Sequence, residues 1–163
     1  LRMPVICAVN GVAAGAGASV AMACDIVIAA PTASFVQAFS KIGLIPDAGG
    51  SWLLVERLGL PRAMALAMTG DKLMADKAKE WGLIWEVAED CVPAALALAD
   101  KLAVMPTKAL VATRHLLRDA GTRSLDAHLN VERDTQSALG KTHDYLEGVN
   151  AFLQKRAPQF KGE

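Results

Sequence analysis

The apolar and polar positions divide the chain into two stretches of different character, residues 1–91 and 92–163. In the first, short apolar runs alternate with helix-forming segments. Val5-Ile6-Cys7-Ala8-Val9 is continuously apolar and predicts a buried strand. A small-residue turn follows, and Ser19–Cys24 then has good helix formers with few polar positions, a buried helix. Asp25–Ala30 is a second β-branched run, Pro31–Ala33 a turn, and Ser34–Val36 a further short strand. Strands alternating with helices predict an α/β layer with parallel pairing. Residues 39–50 have no regular period and carry Gly43, Pro46, Gly49 and Gly50; they read as a loop opening into a helix near Ala48–Ser51. That helix shows apolar residues at Trp52, Val55 and Leu58, is broken by Gly59-Leu60-Pro61, and gives way to another over Arg62–Met68. Thr69–Lys72 is a turn, Ala75–Trp81 a short helix ended by a left-handed Gly82, and Leu83–Val87 a strand.

The second stretch is helical throughout. The expected helices are Val92–Ala103, Thr107–Ala120, Ser124–Leu139 and Asp144–Lys155. Pro106 suits a first helical position, Ser124 an N-cap, and Gly121 and Gly140 helix stops. Three or four short strands are too few to bury both faces of such apolar elements. Strands from outside this sequence, or partner chains, are needed to cover them.

Composition sharpens this picture. At 163 residues the chain is long enough for one domain with a real core. Hydrophobic residues make up 53% and mean hydropathy is +0.29, yet no stretch is long and apolar enough to span a membrane. Buried helices or subunit interfaces are the expected destination of that surplus. Lys+Arg and Asp+Glu are 17 each, so no net field favours nucleic acid or acidic lipid. Cys7, Cys24 and Cys91 lie in apolar settings without metal-ligand spacing and read as buried free thiols of a reducing compartment. No signal or transit pattern is visible, and a cytoplasmic location is expected.

Candidate chemistry centres on Gly15-Ala16-Gly17-Ala18, between the first strand and the first helix. Such a turn places unbonded N–H groups at a helix N-terminus, where the dipole favours a negative oxygen and small side chains permit close approach. The functional reading is a main-chain oxyanion hole; the plain alternative is a turn whose glycines only allow tight packing. Asp47 is the acid that stands out, at a predicted helix start. It reads either as an ordinary N-cap or as a carboxylate beside an apolar pocket, its proton affinity set by burial and helix dipole. Glu56, Asp71, Asp76, Glu80, Glu89, Asp90 and Glu132 read as surface. His115, His128 and His143 lie on the late helices and read as surface or interface residues. Ser19 lacks a nucleophile elbow and a nearby His, so its role is structural. No HxxxH, CxxC or acidic cluster suggests a metal.

The run NGVAAGAGASVAMACDIVIAA followed by FSKIGLIPDAGGSWLLVERLG resembles the enoyl-CoA hydratase/isomerase (crotonase) superfamily. The likeness continues through TGDKLMADKAKEWGLIWEV to EGVNAFLQKRAPQF and covers essentially the whole chain. It implies an α/β spiral of ββα turns over 1–91, trailed by helices over 92–163 that build a trimer or a dimer of trimers. It also implies acyl-CoA substrates, with coenzyme A entering as part of the substrate and no separate cofactor. The thioester oxygen is then held by two donors: the backbone N–H of Ala16, flanked by Gly15 and Gly17, and one in a segment preceding this sequence. The family's hydratases carry glutamates at the positions of Ser19 and Phe39. Lacking both, the chain is expected not to hydrate but to isomerise, using Asp47 alone. Within the family it looks most like the ring-epoxide isomerases of phenylacetate degradation, which also shift 3-enoyl to 2-enoyl double bonds. Rival readings are a hydratase, a dehalogenase-like member with Asp47 as nucleophile (disfavoured by Phe39 where those enzymes have Trp), a straight-chain dienoyl-CoA isomerase, and a non-catalytic acyl-CoA-binding fragment. Phe39, Ile45, Trp52 and Leu53 are candidate pocket walls, with core packing as the alternative. Phe160 and Lys161, by resemblance, touch the adenine and phosphates of coenzyme A, on this or a neighbouring subunit, with free tail residues as the alternative.

Overall fold

The computed structural model describes all 163 residues, which form two compact units: Val5–Leu98, and Ala99–Glu163 together with Leu1–Pro4. The first unit holds six short strands in two three-stranded sheets. β1 (Ile6–Val9), β3 (Ile26–Ala29) and β6 (Glu86–Val87) are all parallel, with Ile6 opposite Ile26 and Ile28 opposite Glu86. β2 (Val12–Ala14) runs parallel to β4 (Ser34–Val36), and β5 (Lys72–Met74) closes that sheet antiparallel, with Phe35 opposite Leu73. The chain visits one sheet and then the other before each of the first two helices. β1-β2 leads into α1 (Ala16–Ala23), and β3-β4 leads into α2 (Gly50–Thr69). This is the expected ββα arrangement.

Strands β2 and β5 are additions to the sequence reading. Each has three residues, and β5 lies where a turn was expected to run on to Lys72. The loop expected over 39–50 begins instead with a 3-10 turn, Ala38–Ile42, stopped by left-handed Gly43. The strand expected over 83–87 shrinks to two residues, because Leu83 and Ile84 are drawn into the core. The break expected at Gly59-Leu60-Pro61 is present: Gly59 takes φ 73, ψ 162, outside helical geometry, so α2 consists of two helical segments joined at a kink. α3 (Ala75–Glu80) ends as expected, with Gly82 at φ 84. Gly82 N–H donates to the Lys79 carbonyl and Leu83 N–H to the Ala78 carbonyl, so the last helical carbonyls are satisfied.

The core of this unit lies where α1 and α2 meet the strands, around Met22, Val27, Ile28, Phe35, Leu54 and Leu73. Arg57 on α2 donates to the carbonyls of Met22 and Cys24, at 2.9 Å for the latter, and to Leu83 at 3.3 Å. Of the cysteines, only Cys91 is fully buried. Cys7 and Cys24 are free and half-buried, because Cys7 sits on a three-stranded sheet left partly open and Cys24 follows the last turn of α1. Burial and the neighbouring Cys24 raise the Cys7 thiol to about 11.

The second unit is built from the end of α4 (Cys91–Ala103) and from α5 (Thr107–Asp119), α6 (Leu125–Leu139) and α7 (His143–Leu153). Pro106 caps α5 one residue earlier than expected. Ser124 accepts from Ala127 N–H at 3.3 Å, and Thr142 does the same for Tyr145 at 3.2 Å. α5 and α6 bury no residue completely, and Leu117, Leu125, Leu129, Tyr145, Phe152 and Leu153 remain exposed. No helix is long and apolar enough to cross a membrane.

Candidate active site

Gly15 makes the turn that opens α1. Its φ 53, ψ −126 lies in a region that only glycine enters without strain. Its N–H donates to Val36 of β4 at 2.9 Å, and its carbonyl accepts from Ala18 and Ser19 at 3.0 and 3.2 Å. Ala16 and Gly17 are left as the first residues of the helix, both exposed. Neither N–H has an acceptor in the chain, and no side chain caps them. The Phe39 ring closes the inner side of the turn: a Cβ added to Gly15 would lie 3.6 Å from its Cζ. Phe39 is 7% exposed, so it both packs the core and walls the turn.

Ser19 links this helix to the next. It is fully buried, its Oγ lying 3.5 Å from the Gly15 carbonyl, and it packs directly on Gly50, the first residue of α2. A Cβ at Gly50 would overlap Ser19 Oγ and lie 3.2 Å from Ser19 Cβ. Because Gly50 meets the first turn of α1, and Arg57 two turns on reaches its C-terminal end, α1 and the start of α2 run side by side in one direction. Both helix N-termini, with their positive dipole ends, therefore lie at the same end.

Asp47 sits at that end and is not a helix cap. The N-cap of α2 is Gly49, with no side-chain hydrogen bond. Ala48 (φ 49) and Gly49 (φ 78) turn the chain left-handed between Asp47 and the helix, so Gly49 rather than Asp47 occupies the cap position. The Asp47 carbonyl, not its side chain, accepts the Gly50 N–H at 2.8 Å. The carboxylate is exposed rather than buried. Its apolar neighbours in sequence are exposed too, Ile45 at 80% and Trp52 at 55%, while Leu53 is half-buried and lies 3.9 Å from where a Gly49 Cβ would stand.

Phe160 and Lys161 lie in the second unit, on a tail strapped to α7. Asp144, 4% exposed, accepts from Lys161 and Gly162 N–H, both at 2.8 Å, and its own N–H donates to Glu163 at 3.1 Å. Burial pushes the Asp144 carboxyl up, but those two N–H groups and His143 outweigh it and hold the group below its ordinary range. Glu147 takes a bidentate Arg156 at 2.6 and 2.9 Å and Gln159 N–H at 2.7 Å. Arg156 above all, then Gln159, brings it down to about 2. Phe160 thereby packs on Gly148 and lines an apolar groove of about 440 Å³ with Tyr145, Val149 and Phe152. These two carboxylates went unremarked in the sequence, where only a charged residue among helix formers marked either. His115 and His143 are exposed and His128 half-buried. No group of three or more His, Cys, Asp or Glu is placed to hold a metal.

The family pattern described as enoyl-CoA hydratase/isomerase matches residues 1–163. The chain belongs to the enoyl-CoA hydratase/isomerase family. Among its relatives, 1,2-epoxyphenylacetyl-CoA isomerase of Escherichia coli is 54% identical over 100% of this chain and 63% of its own length. A 2,3-dehydroadipyl-CoA hydratase of the same organism is 38% identical over 98% of this chain and 63% of its own. The crystal structure of an enoyl-CoA hydratase from a Polaromonas species superposes with a TM-score of 0.95 at 40% identity, covering 98% of this chain and 63% of that one. The crotonase-like fold is thus established, and the chain spans about 63% of the length of these family members.

Proposed function

We propose that the protein is an acyl-CoA isomerase in which Asp47 moves the proton and the N–H of Ala16 helps to hold the thioester oxygen. One observation carries this reading: the unbonded N–H groups opening α1 and the exposed Asp47 turn are pinned to the same end by Ser19 against Gly50. In a double-bond shift the carboxylate takes a proton from the α-carbon of a 3-enoyl thioester. The C–H electron pair forms a double bond between the α-carbon and the carbonyl carbon, and the carbonyl π pair moves onto the thioester oxygen. The result is a dienolate that N–H groups at a helix N-terminus stabilise. When it collapses the oxygen pair re-forms the carbonyl, the α,β double bond appears and the β,γ pair takes up a proton. The same carboxyl returns the proton to the γ-carbon, giving the 2-enoyl thioester. Hydration needs further acid/base groups around a water molecule. Ser19, sealed against Gly50, and Phe39, an apolar ring, supply none.

The ring-epoxide thioester of phenylacetate, opened to its oxepin, is the second proposed substrate. The E. coli relative named for that activity supports it. Coenzyme A enters with the substrate; Phe160 and Lys161 are the proposed contacts for the adenine and phosphates of a coenzyme A held by this or a neighbouring subunit, and the exposed apolar residues of α5–α7 are buried by trimerisation. The test is to give the full-length protein a 3-enoyl-CoA and the ring-epoxide thioester and follow ultraviolet absorbance. Isomerisation of both is expected. Activity on neither, with acyl-CoA binding retained, defeats the proposal in favour of a binding or dehalogenase-like role.

A further inference from the structure

α1 is a helix of eight residues with no side-chain cap at its N-terminal end, no acid in its first turn and no base in its last. Its own sequence does little to set where its N-terminus points. What holds it is α2: Gly50 against Ser19 near one end, and Arg57 at the other. The last carbonyls of a helix have no partners within it. Here the Ala21 carbonyl takes Cys24 N–H at 3.2 Å and the Val20 carbonyl takes Cys24 Sγ at 3.4 Å, while those of Met22 and Cys24 go to Arg57. The same guanidinium reaches the Leu83 carbonyl, so a planar, multi-donor cation ties the carbonyl pole of α1 to a fixed point before β6. A positive charge at that pole also suits the helix dipole.

We propose that Arg57 is a positioning residue for the oxyanion turn. By clamping the C-terminal end of α1 it sets how closely the Ala16 N–H approaches a thioester oxygen, without touching substrate. This rests on the isomerase reading above. The test uses the full-length protein, wild type, Arg57→Met and Arg57→Lys, with two readouts. One is kcat and KM for a 3-enoyl-CoA. The other is the C=O stretch of bound 2-enoyl-CoA thioester by difference Raman or infrared spectroscopy, which reports carbonyl polarisation and which a loss of stability alone does not move. Arg57→Met is expected to lower kcat about tenfold to a hundredfold, short of the ~10²–10³ for deleting an oxyanion donor outright. KM should change little, and the C=O stretch should move back towards its frequency in water. Arg57→Lys keeps the charge but not the fork, and is expected to fall between the two. If Arg57→Met does not fold, Arg57→Lys decides: a wild-type C=O frequency and kcat there overturn the proposal. So does a kcat loss in either variant with the C=O frequency unmoved. A polarised carbonyl in wild type that stays unchanged in the variants overturns this inference alone. An unpolarised carbonyl in wild type overturns the oxyanion reading with it.

Discussion

Replacing Gly50 by Ala is a sharp probe of the contact that brings the two helix N-termini together. Backbone preference favours the change, since Ala exceeds Gly by up to about 1 kcal/mol within a helix and less at its first residue. Space opposes it. The new methyl would overlap Ser19 Oγ, lie 3.2 Å from Ser19 Cβ and 3.6 Å from Pro46 Cβ. Ser19 is fully buried, so relief must come from separating α1 and α2. Overpacking of this kind costs about 1–3 kcal/mol. Net of propensity, the loss should be about 1–2 kcal/mol, or a fall in Tm of about 2–8 °C at 2–4 °C per kcal/mol for a domain of this size. Because Gly50 N–H binds the Asp47 carbonyl, the shift also carries Asp47 away from the α1 turn. A displacement of about 1 Å is worth ~10²-fold in rate, so a few tenths should lower kcat about tenfold. The assays are thermal or urea unfolding and isomerase kinetics of the full-length protein, in a cycle with Ser19→Gly. The pair should be non-additive by at least about 1 kcal/mol, with Ser19→Gly relieving part of the Gly50→Ala loss. A Gly50→Ala protein as stable and active as wild type, or strict additivity, refutes the argument.

Other consequences follow from the same geometry. Gly15→Ala meets φ 53, ψ −126 with a Cβ 3.6 Å from Phe39 Cζ; a backbone strain of about 1–3 kcal/mol is expected on unfolding, and an unchanged midpoint argues against the turn as described. Asp144 and Glu147 have folded-state carboxyls below their ordinary values of 3.8 and 4.5, the latter at about 2. Their contribution is present above the unfolded values and is lost as pH falls through the lowered folded-state values. Asp144→Asn should therefore reduce stability at neutral pH, flatten the acid limb below pH ~4, and speed amide exchange at Lys161 and Gly162; an unaltered acid profile contradicts the strap. Burial of the exposed α5–α7 residues between copies predicts a trimer or hexamer by sedimentation at micromolar concentration, and a monomer counts against it.

Much of the fold is readable from pattern because its elements carry their own signal. β1, β3 and β4 are apolar or β-branched runs, and the long helices have their periodicity, caps and glycine stops. β2 and β5 escape notice since Val-Ala-Ala and Lys-Leu-Met have little strand signal; pairing with β4 is what extends them. The site divides in the same way. The unbonded N–H groups of Ala16 and Gly17 follow from local chemistry, small residues opening a helix. The need for glycine at position 50 is set by a serine 31 positions earlier in sequence, and Arg57 acts on carbonyls more than 30 positions away. Asp144 and Glu147 bind tail N–H groups 12 to 18 positions on. Tertiary contacts of this kind leave no periodic trace. Asp47 was conspicuous for its Pro and Gly-Gly surroundings, yet only the left-handed turn through Ala48 and Gly49 shows why it does not cap α2.

The central claim is that one carboxylate performs the proton transfer. It is tested most directly by isomerisation of a 3-enoyl-CoA by full-length Asp47→Asn beside wild type, with product affinity measured on the same samples. The predicted result is a kcat lower by ~10²–10⁴-fold, the usual worth of a general base, with 2-enoyl-CoA binding essentially unchanged. Near-normal turnover by Asp47→Asn contradicts it and sends the search for the base elsewhere in the full-length protein.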